Sequence, residues 1–183
     1  SGSGVQGIVL TTTVLFAWGA EGAVLHPNIT SSSTFQKLTI GGNTQGLPTG
    51  VTPTDVKMLF VTNETMALTT CSGNVYVLTL NGANAGRGFT GVLSATNAVQ
   101  WYQVTTSAAG NPALSNVIAV RGSKHTLFAL TSTGQLYTWG SETYIGDNTA
   151  EAEKTRATLM TLPSANPIKM IGATRDNANS VSS

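Results

Sequence analysis

The chain has 183 residues, a formal net charge of +1, and only 9% charged against 40% hydrophobic residues. A typical soluble domain carries about 25% charged residues; the low, balanced charge lacks the clustered basic face of a nucleic-acid binder, and the apolar share excludes a disordered chain. No run approaches the roughly 18 apolar residues of a membrane span, and the single cysteine, Cys71, leaves no intrachain disulfide and no cysteine metal cluster.

The first residues lack the basic region and cleavage site of a signal peptide. Residues 5–11 and 14–19 read as a hairpin, residues 35–40 as a further strand, and the Gly-, Pro-, Asn- and Thr-rich segment 41–55 as a link. Strands follow near 56–62, 65–69, 75–80 and 100–105, with Cys71 in a turn. Segment 81–91 is glycine-rich, but without a Lys-Ser/Thr ending and a following helix it reads as a connecting loop, not a phosphate cradle. Residues 117–120, 125–130 and 135–139 form the next strands, with Thr131-Ser132-Thr133-Gly134 as a tight hairpin turn. Around Glu151, Glu153, Lys154 and Arg156 the charges read as a solvated loop or one helical turn. Residues 158–162 form the last strand of this unit, 168–174 repeat its opening strand, and 175–183 run out of apolar residues.

The elements recur. Leu15-Phe16-Ala17-Trp18-Gly19, Val75-Tyr76-Val77-Leu78-Thr79 and Leu136-Tyr137-Thr138-Trp139-Gly140 are spaced 60 and 61 positions apart. The opening strand recurs at 56–61, 117–120 and 168–173, and the fourth at 35–39, 101–105 and 158–162. Four strands per unit is the size of a propeller blade. The expected organisation is a partial blade at 5–55 (strands two to four plus a linker), blades at 56–116 and 117–167, and the first strand of a further blade at 168–183. A ring closed from these alone would have three blades, below the usual four to eight. The chain is therefore expected to be part of a larger propeller, or to complete itself head to tail with other subunits through open blade edges.

The segment 121–148, RGSKHTLFALTSTGQLYTWGSETYIGDN, resembles the blade repeat of the regulator of chromosome condensation family of β-propellers. In the second unit Leu78 and Thr79 stand where the other copies have Trp-Gly, so that copy departs from the pattern. The resemblance implies an all-β fold of four-stranded antiparallel blades, and for His125 a structural role tying neighbouring strands. Members of the family act as exchange factors for small GTPases, as chromatin binders and, in a secreted bacterial relative, as an inhibitor of β-lactamases. They share recognition of proteins by loops on a rigid ring, and none of their functional residues carries over onto this chain.

The residues offer no catalytic, cofactor or metal constellation. His26 and His125 belong to different units, and His26 has no second ligand at metal spacing. No Gly-x-Ser-x-Gly turn is present. The eight carboxylates, Glu21, Asp55, Glu64, Glu142, Asp147, Glu151, Glu153 and Asp176, are scattered through loops, Asp147 as a turn cap. Trp18 and Trp139 read as matching plugs between blades. Trp101 and Tyr102, on the outer strand, are the expected contact patch. Asn28-Ile29-Thr30 and Asn63-Glu64-Thr65 match the glycosylation pattern. Sparse charge and abundant Thr, Ser, Asn and Gly point to a non-catalytic protein-binding or structural module of a secreted or cell-surface bacterial protein, adhesin-like or a secreted cargo. Its partners would be other proteins or neighbouring segments of a longer chain, with no nucleic acid and no membrane insertion. The rival reading is an intracellular exchange factor or chromatin-docking propeller.

Overall fold

A computed structural model describes residues 6–19, 32–61, 66–79, 100–122, 126–140, 153–162 and 166–173. Branched and aromatic residues in short runs favour strands, and β1 (Gln6–Leu10), β2 (Leu15–Gly19) and β3 (Ser32–Lys37) form a three-stranded antiparallel sheet. A four-stranded sheet follows from β4 (Val56–Val61), β5 (Met66–Thr70), β6 (Val75–Thr79) and β7 (Gln100–Gln103). The third sheet contains β8 (Val117–Gly122), β9 (Thr126–Thr131), β10 (Leu136–Gly140) and β11 (Lys154–Leu159), each strand beside its neighbour in sequence. The described residues contain no α-helix, only a 3-10 turn at Pro53–Asp55.

One threonine organises each tight hairpin. The Thr70 backbone N–H donates to the Asn74 carbonyl at 2.9 Å, while the Asn74 N–H donates to Thr70 Oγ1 at 3.1 Å. Thr131 and Gln135 repeat both bonds, at 2.9 and 3.1 Å. Thr11 and Val14 repeat them at 3.0 Å each in a turn one residue shorter. Gly73 and Gly134 take the left-handed position of the two longer turns, at φ 82° and 80°, which a side chain disfavours.

The third strands occupy matching places. Phe16 lies opposite Val9 and Lys37, Tyr76 opposite Leu68 and Gln103, and Tyr137 opposite Ala129 and Leu159. Successive residues of a strand point to opposite faces, so each sheet has one face for the unit before it and one for the unit after. Leu15, Ala17, Ile8 and Leu10 of the first sheet pack with Leu59, Val61, Met66, Leu78 and Trp101 of the second. The second sheet's other face, with Met58, Phe60, Ala67, Val75 and Val77, packs with Val117, Val120, Leu127, Ala129, Tyr137 and Trp139 of the third. Both faces of the middle sheet are thus covered, and all five residues of β5 are buried.

A hydrogen bond hands the chain from one unit to the next. The Val117 N–H donates to the Gly73 carbonyl at 3.1 Å, and the Ile168 N–H to the Gly134 carbonyl at 3.0 Å. In both places the acceptor is the hairpin glycine of the preceding sheet, and the incoming residue is the first of β8 or of the segment expected to repeat it.

Three local expectations are revised. The fourth strands of the first and third sheets begin earlier, at Ser32 and Lys154, than the 35–40 and 158–162 expected. Both ladders contain a register shift beside Gly19 or Gly140, and the polar segments SST and KTR that enter them carry little strand signature. Residues 154–156 are consequently extended, not a helical turn. Residues 168–173 form no strand, although Ile168 is anchored as an opening strand should be. An opening strand acquires its ladder only from a second strand beside it, and none is present among the described residues.

Candidate functional site

Trp101 and Tyr102 stand side by side in β7, opposite Leu78 and Val77, and both are half-buried. Their side chains leave opposite faces of the sheet. The Trp101 ring packs into the seam with the first sheet, and its Nε1–H donates to the Gly46 carbonyl at 2.9 Å. Gly46 is itself buried, at φ 73°, wedged between Leu15 and Leu38. The indole therefore straps the 41–55 link to the second sheet, leaving Tyr102 as the other half of the expected patch. Counting back from the pairs of Lys37, Gln103 and Leu159, the equivalents of Trp101 are Phe35 and Ala157, one position from the expected Thr158. At Ala157 the next seam is tied by backbone instead: its N–H donates to the Thr105 carbonyl, and its carbonyl accepts from Ser107, both at 2.9 Å. Trp101→Phe keeps most of the ring and removes one hydrogen bond. The expected loss is about 1 kcal/mol of unfolding free energy, measured by chemical denaturation, with the fold retained.

A shallow polar groove of about 410 Å³ opens beside that second tie, lined by Ser107, Asn111, Glu153, Lys154, Arg156 and Thr158 among others. Asn111 holds a left-handed backbone there, at φ 46°. Both charge signs line the groove, so it presents a mixed polar surface.

Among the described residues no three of His, Cys, Asp and Glu converge on one point. Cys71 is exposed at a turn, its backbone N–H donating to the Asp55 carbonyl at 2.7 Å. Asp55 accepts from the Thr52 hydroxyl at 2.6 Å and from the Thr52 backbone N–H at 2.8 Å. These two bonds, the side-chain one first, hold its carboxyl below the ordinary value of 3.8. A folded value that is depressed contributes stability in full above 3.8 and loses it as pH falls through the lower folded value. Asp55→Asn removes this contribution. The melting-temperature gap between parent and variant at neutral pH is expected to close once the pH is well below 3.8, as thermal melts across that range will show.

His26, His125, segment 81–91, both glycosylation patterns, and Glu21, Glu64, Glu142, Asp147, Glu151 and Asp176 lie outside the described residues. One feature not anticipated is the aromatic face of the first sheet. Trp18 and Phe35 meet edge to face, ring centres 4.7 Å apart, with Phe35 61% exposed. Trp18 also lies over Gly7, where an added Cβ would fall 2.2 Å from the ring. Phe16 and Val9 share that face, Val9 being 40% exposed. The alternation Phe16-Ala17-Trp18 was the available signal, since it puts two aromatics on one side. The counterparts of Trp18, Leu78 and Trp139, are buried against the preceding sheet at 1% and 0% exposure.

No family model and no curated protein matches the chain. Solved structures do. Human WBSCR16 is 20% identical with a TM-score of 0.58, over 86% of this chain and 38% of that one. Prp20p from Saccharomyces cerevisiae, described with its binding to Gsp1p and histones, is 16% identical with a TM-score of 0.56, over 86% of this chain and 36% of its own. Yeast RCC1 (Prp20) in its complex with Kap60 gives 16% and 0.53, over 84% and 32%. The fold is that of RCC1-type β-propeller repeats, and the chain spans roughly a third of those structures. These neighbours are intracellular proteins. The expectation of an extracellular, cell-surface or adhesin-like protein is corrected accordingly. The threonine-rich composition behind it has a structural use instead: Thr69, Thr70, Thr79, Thr106, Thr126, Thr131 and Thr138 are buried in the sheets and their turns.

Proposed function

We propose that this chain is a non-catalytic protein-recognition segment of an intracellular β-propeller, of the kind that docks a small GTPase or a chromatin protein. The observation that carries the reading is the match of nearly the whole chain to a propeller fold whose solved examples include a binder of Gsp1p and histones. Sheets locked by buried seams supply a rigid frame, and the loops and outer rim are free to meet a partner. Near-neutral charge leaves shape and hydrogen bonding to supply specificity, with little electrostatic steering. The test is capture by two immobilised baits, a nucleotide-free small GTPase and a histone octamer, with GDP release measured for the first. Saturable binding to either bait is expected. Failure to bind both, with the sheets intact by circular dichroism, overturns the reading.

A further inference from the structure

We propose that the opening strands of the second and third sheets carry a carboxylate-binding site, formed by the Arg121 guanidinium and the Lys57 ammonium, that takes an acidic side chain of a protein partner. Arg121 lies on β8 and Lys57 on β4, each strand the open edge of its sheet among the described residues. Val120 faces the second sheet, and alternation turns Arg121 the other way. The side chain nevertheless comes back around the edge. Its Nη1 donates to the Val120 carbonyl at 2.7 Å and to Met58 Sδ, across the seam, at 3.3 Å.

The guanidinium is thereby held in place without an anion. A carbonyl and a thioether are neutral acceptors, the sulfur a weak one, and Arg121 is half-buried. Two carboxylates stand among the described residues, and neither serves it: Asp55 accepts from Thr52, and Glu153 lies beside β11, at the opposite edge of the third sheet. Both bonds of Arg121 use Nη1. That leaves Nε–H and Nη2, the side-on fork whose parallel N–H groups match the two oxygens of a carboxylate.

Lys57 supplies a second charge beside that fork. It is exposed, directly precedes Met58, and falls where the register between β4 and β5 shifts. A bulge breaks strict alternation and re-aims a side chain, and the flexible lysine stem carries the ammonium to a ligand seated on the fork. Neither cation is a demand of the repeat. The third sheet has Ile118, 42% exposed, at its own register shift, and the second has Phe60 where the third has Arg121. In a chain of net charge +1 the pair is a local feature, suited to one short acidic stretch more than to steering a polyanion. Such a site presupposes the protein-recognition reading above and names one contact within it.

Fluorescence anisotropy of a labelled octaglutamate peptide, titrated with the 183-residue chain, tests the site. Saturable binding is expected at low ionic strength, weakened about tenfold by Arg121→Gln, which removes the fork, and about threefold by Lys57→Gln at its exposed position. Arg121→Lys keeps the charge without the fork and is expected to fall between the parent and Arg121→Gln. Lys37→Gln, on the first sheet, is expected to change nothing. The strand circular-dichroism signal should persist throughout, and Lys57→Gln, on an exposed residue, decides the matter should Arg121→Gln disturb the seam. No saturable binding, a Lys57→Gln variant that binds like the parent, or an equal loss from Lys37→Gln overturns the proposal. So does displacement of the peptide by inorganic phosphate at concentrations where chloride has no effect, which would mark a phosphate site. Capture of the GTPase or histone bait by a chain that ignores the peptide removes this site alone, whereas failure with peptide and baits together removes the recognition reading as well.

Discussion

Trp139→Ala is expected to lower the unfolding free energy by about 3–5 kcal/mol, the range for deleting a large buried aromatic, and on that scale to approach the whole stability of a modest domain. Trp139 is fully buried between the second and third sheets, where it packs with Leu127, Val120 and the apolar side chains of β6. Its Nε1 is buried and has no hydrogen-bond partner among the described residues. Polar loss therefore adds nothing to the cost, and nearly all of the effect comes from lost contact and the cavity left behind. Trp139→Phe separates the two terms. It keeps most of the apolar body and removes a buried donor that gains nothing, so it should cost less than half as much as alanine. Trp101 provides the contrast, because its Nε1–H is used by Gly46. Urea denaturation of the three variants and the parent measures the difference.

Gly73→Ala is expected to cost about 2–5 kcal/mol, a large effect for one methyl group. Two causes add: a left-handed residue that gains a Cβ pays about 1–2 kcal/mol, and crowding a packed site pays typically 1–3. The crowding is severe here because the new atom would lie 2.8 Å from the Cα and N of Asn116 and the N of Val117. Those are backbone atoms held by the bond from Val117 to the Gly73 carbonyl, so no rotamer change relieves them. Gly50 is the control. It has φ 80° with nothing near a new Cβ, and its substitution carries the backbone cost alone. Thermal melts of Gly73→Ala and Gly50→Ala, read as a difference, isolate the cost of pushing two sheets apart.

Much of the fold was legible because the third strands carry the pattern in large side chains. Leu15 to Gly19 and Leu136 to Gly140 share a Trp-Gly ending, and the middle copy kept its place through Tyr76 even though Leu78 replaces the tryptophan. The smaller plug is possible because Met66 and Trp101 fill the same seam. The fourth strands were misplaced because Ser32-Ser33-Thr34 and Lys154-Thr155-Arg156 pair only at the rim, where little burial selects their residues. Trp101 was half legible. Its strand was found, but the Gly46 carbonyl that holds it is 55 positions away, beyond any local signal. The compartment was misjudged because threonine at strand ends and hairpins answers a backbone need that has no bearing on where a protein resides.

The glycine-to-strand hydrogen bond has a consequence for how damage spreads. Since the third sheet and the 168–173 segment are each seated on the hairpin glycine of the sheet before, stability there is a chain of nearest-neighbour couplings more than a property of the whole. A loosened joint should leave the upstream unit ordered and free the downstream one, and amides of β5 and β6, guarded from both sides, should exchange with solvent last. Among these three sheets, the middle layer would be the final refuge of order.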